Sequence, residues 1–347
     1  MEYVGIDVHK KHSQICTFTE AGEILHQRIE TQRERFAAVF AMRPQVRILI
    51  EASTESEWVA QCLETRGHEV IVADPNYAPM YAQRSRRVKT DRRDAEALAH
   101  ACRLGAYHPA HRTSERQRHV RAVLAVRDAL VRSRTRWISV VRALLRQHGY
   151  RLRSGAAESF LSRVAELELS ADLQAEIEPL LRAMHSVNEQ LATLEQRTET
   201  MAQGDEVVER LSTAPGVGPL TALAFVATLD EVERFDNAHQ VESYLGLVPR
   251  EWSSGEQQQR GKITKQGSGR LRALLVGAAW RIVRGKGAAG GKLRHWAERI
   301  AARRGKRVAV VALARRLAGI LYALWRDGSV DDEAQVGQRP RRMAVTV

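Results

Sequence analysis

Two different hydrophobic rhythms divide this chain. In the first hundred residues, short apolar runs alternate with polar, helix-length stretches. Tyr3–Val8, residues 13–19 and Ile24–Glu30 have the length and β-branched content of strands, and Glu20-Ala21-Gly22-Glu23 supplies a tight turn between the last two. A helix is expected over about 32–42, a strand over 46–51, and a helix near 55–66 that Gly67 stops before the strand Glu69–Ala73. Another helix begins at Thr90-Asp91. Three meandering strands followed by alternating helix and strand is the order of an α/β, ribonuclease-H-like domain.

From residue 115 the period lengthens. Val123-Leu124, Leu130-Val131, Trp137-Ile138 and Leu144-Leu145 recur every seven residues, and Leu173, Ile177, Leu180, Met184, Val187, Leu191 and Leu194 form a second seam. Such heptads predict two long helices, turning near 149–157 and packed as an antiparallel hairpin or an intermolecular coiled coil. Past residue 205 the chain is mainly α-helical. Leu211-Ser212-Thr213-Ala214-Pro215-Gly216-Val217-Gly218-Pro219 has the form of a helix-hairpin-helix element, whose glycines Gly216 and Gly218 suit a phosphate seat at a helix N-terminus. A glycine-rich loop is expected over 285–291, and residues after 327 lack periodicity. The expected organisation is therefore an α/β domain (1–112), a helical coiled-coil arm (113–203), a second, mainly helical domain (204–328) and a loose tail (329–347).

Charge changes the picture of partners. The net charge is +13 over 347 residues. Between residues 246 and 326 the only acids are Glu251, Glu256 and Glu298, and a second arginine-rich stretch covers 84–153. Arginine predominates in both, which favours planar, bidentate contacts to phosphate and points to nucleic acid. Cys16, Cys62 and Cys102 lack metal-ligand spacing and read as reduced, packed thiols of a cytoplasmic protein. No signal peptide is visible. The apolar stretch 308–325 is broken by Arg315 and Arg316, as expected of a buried or DNA-facing helix and not of a membrane span.

Four carboxylates carry the candidate chemistry. Asp7 interrupts the first apolar strand, where an unpaired charge is costly unless it is matched by a cation. Glu51 ends the fourth strand, and Asp91 and Asp94 share one face of the helix that follows Thr90. Hard oxygen donors converging from two strands and a helix suit Mg²⁺, with Mn²⁺ able to replace it, and two such ions can clamp both oxygens of a phosphodiester under attack. The competing reading makes Asp91 a helix cap and Glu51 a solvated strand end; Asp7 resists it. His9 and His12 follow Asp7 closely but read as exposed, inert strand-end residues. A second centre lies in Gly246-Leu247-Val248-Pro249-Arg250-Glu251-Trp252-Ser253-Ser254-Gly255, followed by Arg260-Gly261-Lys262 and Lys265. A serine among cations in a polar loop can attack phosphorus, although most Ser-Ser-Gly triplets are simply turns.

The ordered set Gly-Ile-Asp (5–7), Ile-Glu-Ala (50–52), Lys-Thr-Asp-x-x-Asp (89–94), Pro-Gly-Val-Gly (215–218) and Gly-Leu-x-Pro-Arg…Ser-Gly…Arg-Gly (246–261) resembles the insertion sequence one-ten family of DEDD-type transposases, relatives of the pilin-gene invertases. The resemblance covers roughly residues 1–110 and 205–325. It implies a RuvC-like domain whose metal-binding tetrad is Asp7, Glu51, Asp91 and Asp94. It also implies a C-terminal domain whose nucleophile is Ser254, since Gly255 follows it, with Ser253 a neighbour of no catalytic role. Arg250, Arg260, Lys262, Lys265 and the glycines Gly216 and Gly218 would then contact nucleic acid. The partners implied are donor and target DNA, a guide (bridge) RNA encoded by the same element, and further copies of the chain in a dimer or tetramer; no membrane is involved. Whether tetrad and serine meet within or between subunits stays open.

Three functions compete at this point: a serine-using DNA recombinase guided by RNA, a RuvC-like junction nuclease working with the tetrad alone, and a non-catalytic nucleic-acid-binding protein. A complete tetrad speaks against the third, and the Ser254 context with its basic surroundings against the second. Covalent attachment of protein to a cleaved strand would separate the first two.

Overall fold

The computed structural model describes residues 1–81, 90–254, 257–285 and 290–331, with the side chains of 252–254 and 257–260 left out of the description. The chain divides into two compact units, one from Met1 to Thr113 and one from Ser114 onward.

The first unit is built on a five-stranded sheet of β1 (Tyr3–Val8), β2 (His12–Phe18), β3 (Ile24–Glu30), β4 (Arg47–Glu51) and β5 (Glu69–Ala73), in the order β3-β2-β1-β4-β5. The first three strands pair antiparallel; β4 and β5 add in parallel. This is the meander followed by alternation that the hydrophobic pattern predicts. The helices α1 (Arg33–Phe40) and α2 (Ser56–Glu64) bury Phe36, Phe40, Val59 and Leu63 against Val4, Ile6, Ile48 and Ile50. Side chains alternate across a strand, so Gly5 and Asp7 of β1 and Leu49 and Glu51 of β4 belong to the opposite face. That face is covered by α3 (Asp91–Leu104), which packs Leu98, Ala101 and Cys102 with Leu49, and Ala95 and Ala99 with Cys16 and Phe18.

Gly5 permits this contact. A Cβ on it would lie 2.2 Å from both the Ala95 carbonyl oxygen and the Ala99 backbone nitrogen. These are backbone atoms of a helix, which cannot yield as a flexible side chain can. Gly5→Ala is therefore expected to lift α3 from the sheet and to destabilise the unit by about 3 kcal/mol or more; chemical denaturation of the variant measures this, and a change below about 1 kcal/mol would contradict it.

The second unit is predominantly helical. The long helices α4 (Glu115–Gln147) and α6 (Ala171–Ala202) lie together, and at one end Val141, Leu145, Leu173, Ile177 and Met184 share a core with Phe160 and Val164 of α5 (Phe160–Ala165). At the other end Val120, Leu124 and Ala202 enter the large core formed by α7 (Glu206–Leu211), α8 (Pro219–Leu229), α9 (Ala238–Tyr244), α10 (Gly269–Arg284), α11 (Gly291–Arg304) and α12 (Lys306–Asp327). The near ends of the two long helices thus share an apolar core with the helices after residue 204, while their far ends pack in a separate cluster. Helix α12 is, among the described residues, the one helix with the length and hydropathy to cross a membrane, and half of that apolar window is buried inside the fold. Its Leu313, Leu317, Leu321 and Tyr322 are core residues, the Tyr322 hydroxyl donates to the Phe235 carbonyl at 2.6 Å, and Arg315 pairs with Glu242.

Where the sequence suggests a polar loop, the structure has an antiparallel hairpin of β6 (Pro249–Ser254) and β7 (Gln257–Ile263). Its strands carry almost no apolar alternation, so the period-2 signal that marks a half-buried strand is missing. The base of the hairpin is held by backbone contacts. Thr264 N–H donates to the Val248 carbonyl and Lys265 N–H to Gly246. Gly246 and Gly267 both have positive φ, and a Cβ on either would collide with backbone, of Gln266 and Tyr244 respectively. The 285–291 loop lies mostly outside the described residues, as does the tail beyond 331.

Candidate active site

Strand register and helix capping bring the four carboxylates to one face of the first unit. In the parallel pairing of β1 with β4, Gly5 faces Leu49 and Ile6 faces Ile50. One step further along, Asp7 and Glu51 stand on adjacent strands and the same face. Thr90 caps α3, its side chain accepting from the Arg93 N–H, so that Asp91 and Asp94 occupy the first turn. Asp94, Asp91 and Glu51 all lie close enough to act on the charge of Asp7. Burial is the main reason the Asp7 carboxyl is pushed up from 3.8 to about 6; Asp94, Asp91 and Glu51 raise it further, and His9 opposes them.

The surroundings of each side chain differ. Asp7 and Asp94 are buried, Glu51 is half-buried and Asp91 exposed. The Tyr81 hydroxyl donates to Glu51 Oε2, fixing that carboxylate from a short 3-10 turn (Ala78–Tyr81). Asp7 Oδ2 is buried without a hydrogen-bond partner. The His9 imidazole lies beside it, with Nε2 at 3.2 Å, a contact distance that lacks hydrogen-bond geometry. The same Nε2 is 3.4 Å from Asp91 Oδ1. His9, read from the sequence as inert, therefore stands between two members of the tetrad. Its spacing of two from Asp7 was the only available signal, because the approach of Asp91 is made by the fold.

The residues of the second centre lie in the second unit. Ser254 is the last residue of β6, paired with Gln257, so its backbone closes the hairpin, while its side chain lies outside the described residues. The same holds for the side chain of Arg260, on β7; Gly255 lies wholly outside. Arg250, Lys262 and Lys265 are exposed, Arg250 reaching the Thr264 carbonyl at 3.5 Å. Lys265 adopts a positive φ of 61°, an uncommon conformation for a lysine. Gly218 is the N-cap of α8. Gly216 has a packing reason of its own: its φ is 71°, a Cβ would lie 2.7 Å from the Ala278 carbonyl, and Arg281 donates to its carbonyl oxygen at 2.6 Å.

Comparison with known proteins decides what kind of enzyme carries this arrangement. Residues 4–149 match the DEDD transposase family of the IS110 type, described as "Transposase", and residues 208–293 match the "Transposase IS116/IS110/IS902 family". A Pseudomonas aeruginosa protein named "Probable family 20 transposase" is 30% identical over 328 residues, spanning 92% of this chain and 96% of that protein. The chain belongs to the IS110/IS116/IS902 family of insertion-sequence transposases. The transposase for insertion sequence element IS1111A of Coxiella burnetii is 28% identical over 329 residues, 93% of this chain and 89% of its own length. That of IS1328 from Yersinia enterocolitica is 27% identical over 332 residues, 94% and 97%.

The protein is thus a DNA transposase with a DEDD domain, a domain type that calls for a divalent metal ion. The donors in the first unit fit one: a buried carboxylate oxygen without a hydrogen bond, with the Asp91 carboxylate and the His9 imidazole beside it, the three ligand atoms lying within 4.8 Å of one another.

Proposed function

We propose that this transposase cleaves and rejoins the DNA of its element through a serine–phosphodiester intermediate at Ser254, aided by Mg²⁺, or Mn²⁺ in its place, at Asp7, Glu51, Asp91 and Asp94. The observation that carries the metal half is the buried, unbonded Asp7 Oδ2 facing three further carboxylate charges within a DEDD transposase domain. Carboxylates that approach one another repel when ionised, and a bound cation relieves that repulsion. When bound, the ion supplies positive charge that neutralises a phosphodiester and lowers the barrier to attack on it. Tyr81 keeps Glu51 oriented for its part in holding the ion.

Ser254 provides the nucleophile. Its Oγ–P bond forms as one strand P–O bond breaks, and the proton lost by the hydroxyl is taken up by the released sugar oxygen. Bond energy is kept in the phosphoserine link, so rejoining needs no ATP. The position of Ser254 at the end of a hairpin strand with a pinned base supports this role, since a nucleophile must be presented to DNA with little freedom. Arg250, Arg260, Lys262 and Lys265 hold strand phosphates, and the Gly216–Gly218 hairpin gives a further phosphate contact of helix-hairpin-helix type. Residues 1–112 form the RuvC-like catalytic domain and 204–328 the serine transposase domain. The arm 113–203 acts as a coiled coil between copies in a dimer or tetramer, and an element-encoded guide RNA pairs with donor and target DNA in the cytoplasm. The three free, buried cysteines suit that compartment.

Cleavage of labelled element-end DNA in Mg²⁺ and in EDTA tests the metal half. Asp7→Ala, Glu51→Ala, Asp91→Ala and Asp94→Ala should each abolish cleavage and leave DNA binding in place; full activity in EDTA would remove the metal from the reaction. The cation half is tested by salt. Lys262→Ala should lower the slope of log affinity against log salt by about one, and an unchanged slope would mean that this lysine touches no phosphate.

A further inference from the structure

His9 lies in the carboxylate site without belonging to the tetrad. It follows the end of β1 and is two residues beyond Asp7, so it keeps the parity of that face. Its backbone is tied down: the Thr31 hydroxyl donates to the His9 carbonyl at 2.7 Å and shares a 2.8 Å hydrogen bond with Ser13. The imidazole Nε2 stands 3.2 Å from Asp7 Oδ2 and 3.4 Å from Asp91 Oδ1. Ligands in adjacent positions around a six-coordinate ion, each about 2.1 Å from it, are about 3 Å apart. The His9 nitrogen keeps about that distance from each of the two carboxylate oxygens, and all three atoms lie within 4.8 Å of one another. A second observation points the same way, since Asp7 Oδ2 is buried and makes no hydrogen bond although an imidazole nitrogen is within reach. Nitrogen and oxygen here are poorly aligned for a bond to each other, as two ligands of a common ion would be.

We infer that His9 Nε2 is a ligand of the same divalent ion as Asp7 and Asp91, making the site a mixed nitrogen–oxygen one. The inference rests on the tetrad holding a metal, as proposed above. Its consequence is selectivity. Mg²⁺ takes oxygen ligands and gains little from an imidazole, whereas Mn²⁺ shares the taste for oxygen but, as the first member of the Irving–Williams series, gains more from a nitrogen donor than Mg²⁺ does. His9 therefore biases the site toward Mn²⁺.

The test uses the full-length protein, its His9→Gln variant and its Asp7→Asn variant, with Mn²⁺ and Mg²⁺ as probes in the absence of DNA. Pulsed electron paramagnetic resonance of bound Mn²⁺ should show coupling to an imidazole nitrogen in the wild type and none in His9→Gln. Calorimetric titration should show Mn²⁺ affinity falling by about tenfold or more in His9→Gln, with Mg²⁺ affinity falling by less than about threefold. His9 is largely exposed, so the variant keeps the fold. Bound Mn²⁺ without nitrogen coupling in the wild type, coupling that survives in His9→Gln, or an unchanged Mn²⁺-to-Mg²⁺ affinity ratio would each overturn the inference and leave the tetrad untouched. Undiminished Mn²⁺ binding by Asp7→Asn would place the ion elsewhere and overturn the tetrad reading together with the role of His9.

Discussion

Asp7→Asn is expected to abolish strand cleavage and, at the same time, to make the metal-free protein more stable. Loss of activity follows from losing one charged ligand at a site whose task is to neutralise phosphate, and a fall on the order of 10³-fold or more is expected. The stabilisation follows from burial. Desolvation first, and the charges of Asp94, Asp91 and Glu51 after it, push the Asp7 carboxyl from 3.8 to about 6 against the opposing pull of His9. An acid whose pKa is higher in the folded than in the unfolded state costs stability as it ionises. The cost is absent below the unfolded value, grows as pH rises through the window between roughly 4 and 6, and is complete above it. Two pKa units correspond to about 3 kcal/mol. Asparagine has the same shape and no charge, so Asp7→Asn should unfold later than wild type at pH 7 in EDTA, the two curves converging below about pH 4. Added Mg²⁺ should raise the wild-type transition and leave the variant's unchanged. Thermal unfolding across this pH range measures both effects; a variant less stable than wild type at pH 7 without metal would show that the carboxylate is paired by the protein itself.

Ser254→Ala should eliminate recombination and any covalent protein–DNA adduct, while Ser253→Ala keeps substantial activity. Alanine has no oxygen to attack phosphorus, yet it preserves the backbone pairing of Ser254 with Gln257 that closes the hairpin. DNA affinity should therefore stay within about twofold of wild type, because the phosphate contacts assigned to Arg250, Lys262 and Lys265 are unaffected. An enzyme that hydrolyses DNA with metal-activated water would scarcely respond to this loss. A denaturing gel with end-labelled DNA reads the outcome directly, and cleavage with rejoining by Ser254→Ala would assign the nucleophile elsewhere.

The first unit was legible in the sequence because its strands are short, apolar and separated by turn residues, and because Asp7 is conspicuous as a charge inside such a strand. The spacing of Asp91 and Asp94, with Thr90 before them, likewise carries its own helical face. What the sequence did not reveal depends on contacts between distant segments. His9 gains its meaning only when α3 brings Asp91 beside it. Gly5 looks like any strand glycine until the backbone of Ala95 and Ala99 is found against it. The β6–β7 hairpin escaped because pairing by backbone alone leaves no mark on a polar stretch such as Gln257-Gln258-Gln259-Arg260. Gly216, read as a phosphate seat, is held by α10 and Arg281, an interaction with no local signature.

The measurement that reaches the central claim most directly is mass spectrometry of the protein recovered after reaction with element-end DNA in Mg²⁺. The account predicts a nucleotide phosphate attached to the peptide that contains Ser254, present with wild type and absent with Asp7→Asn or in EDTA. Cleaved DNA with no attached peptide, or a phosphate attached to any other residue, would contradict it.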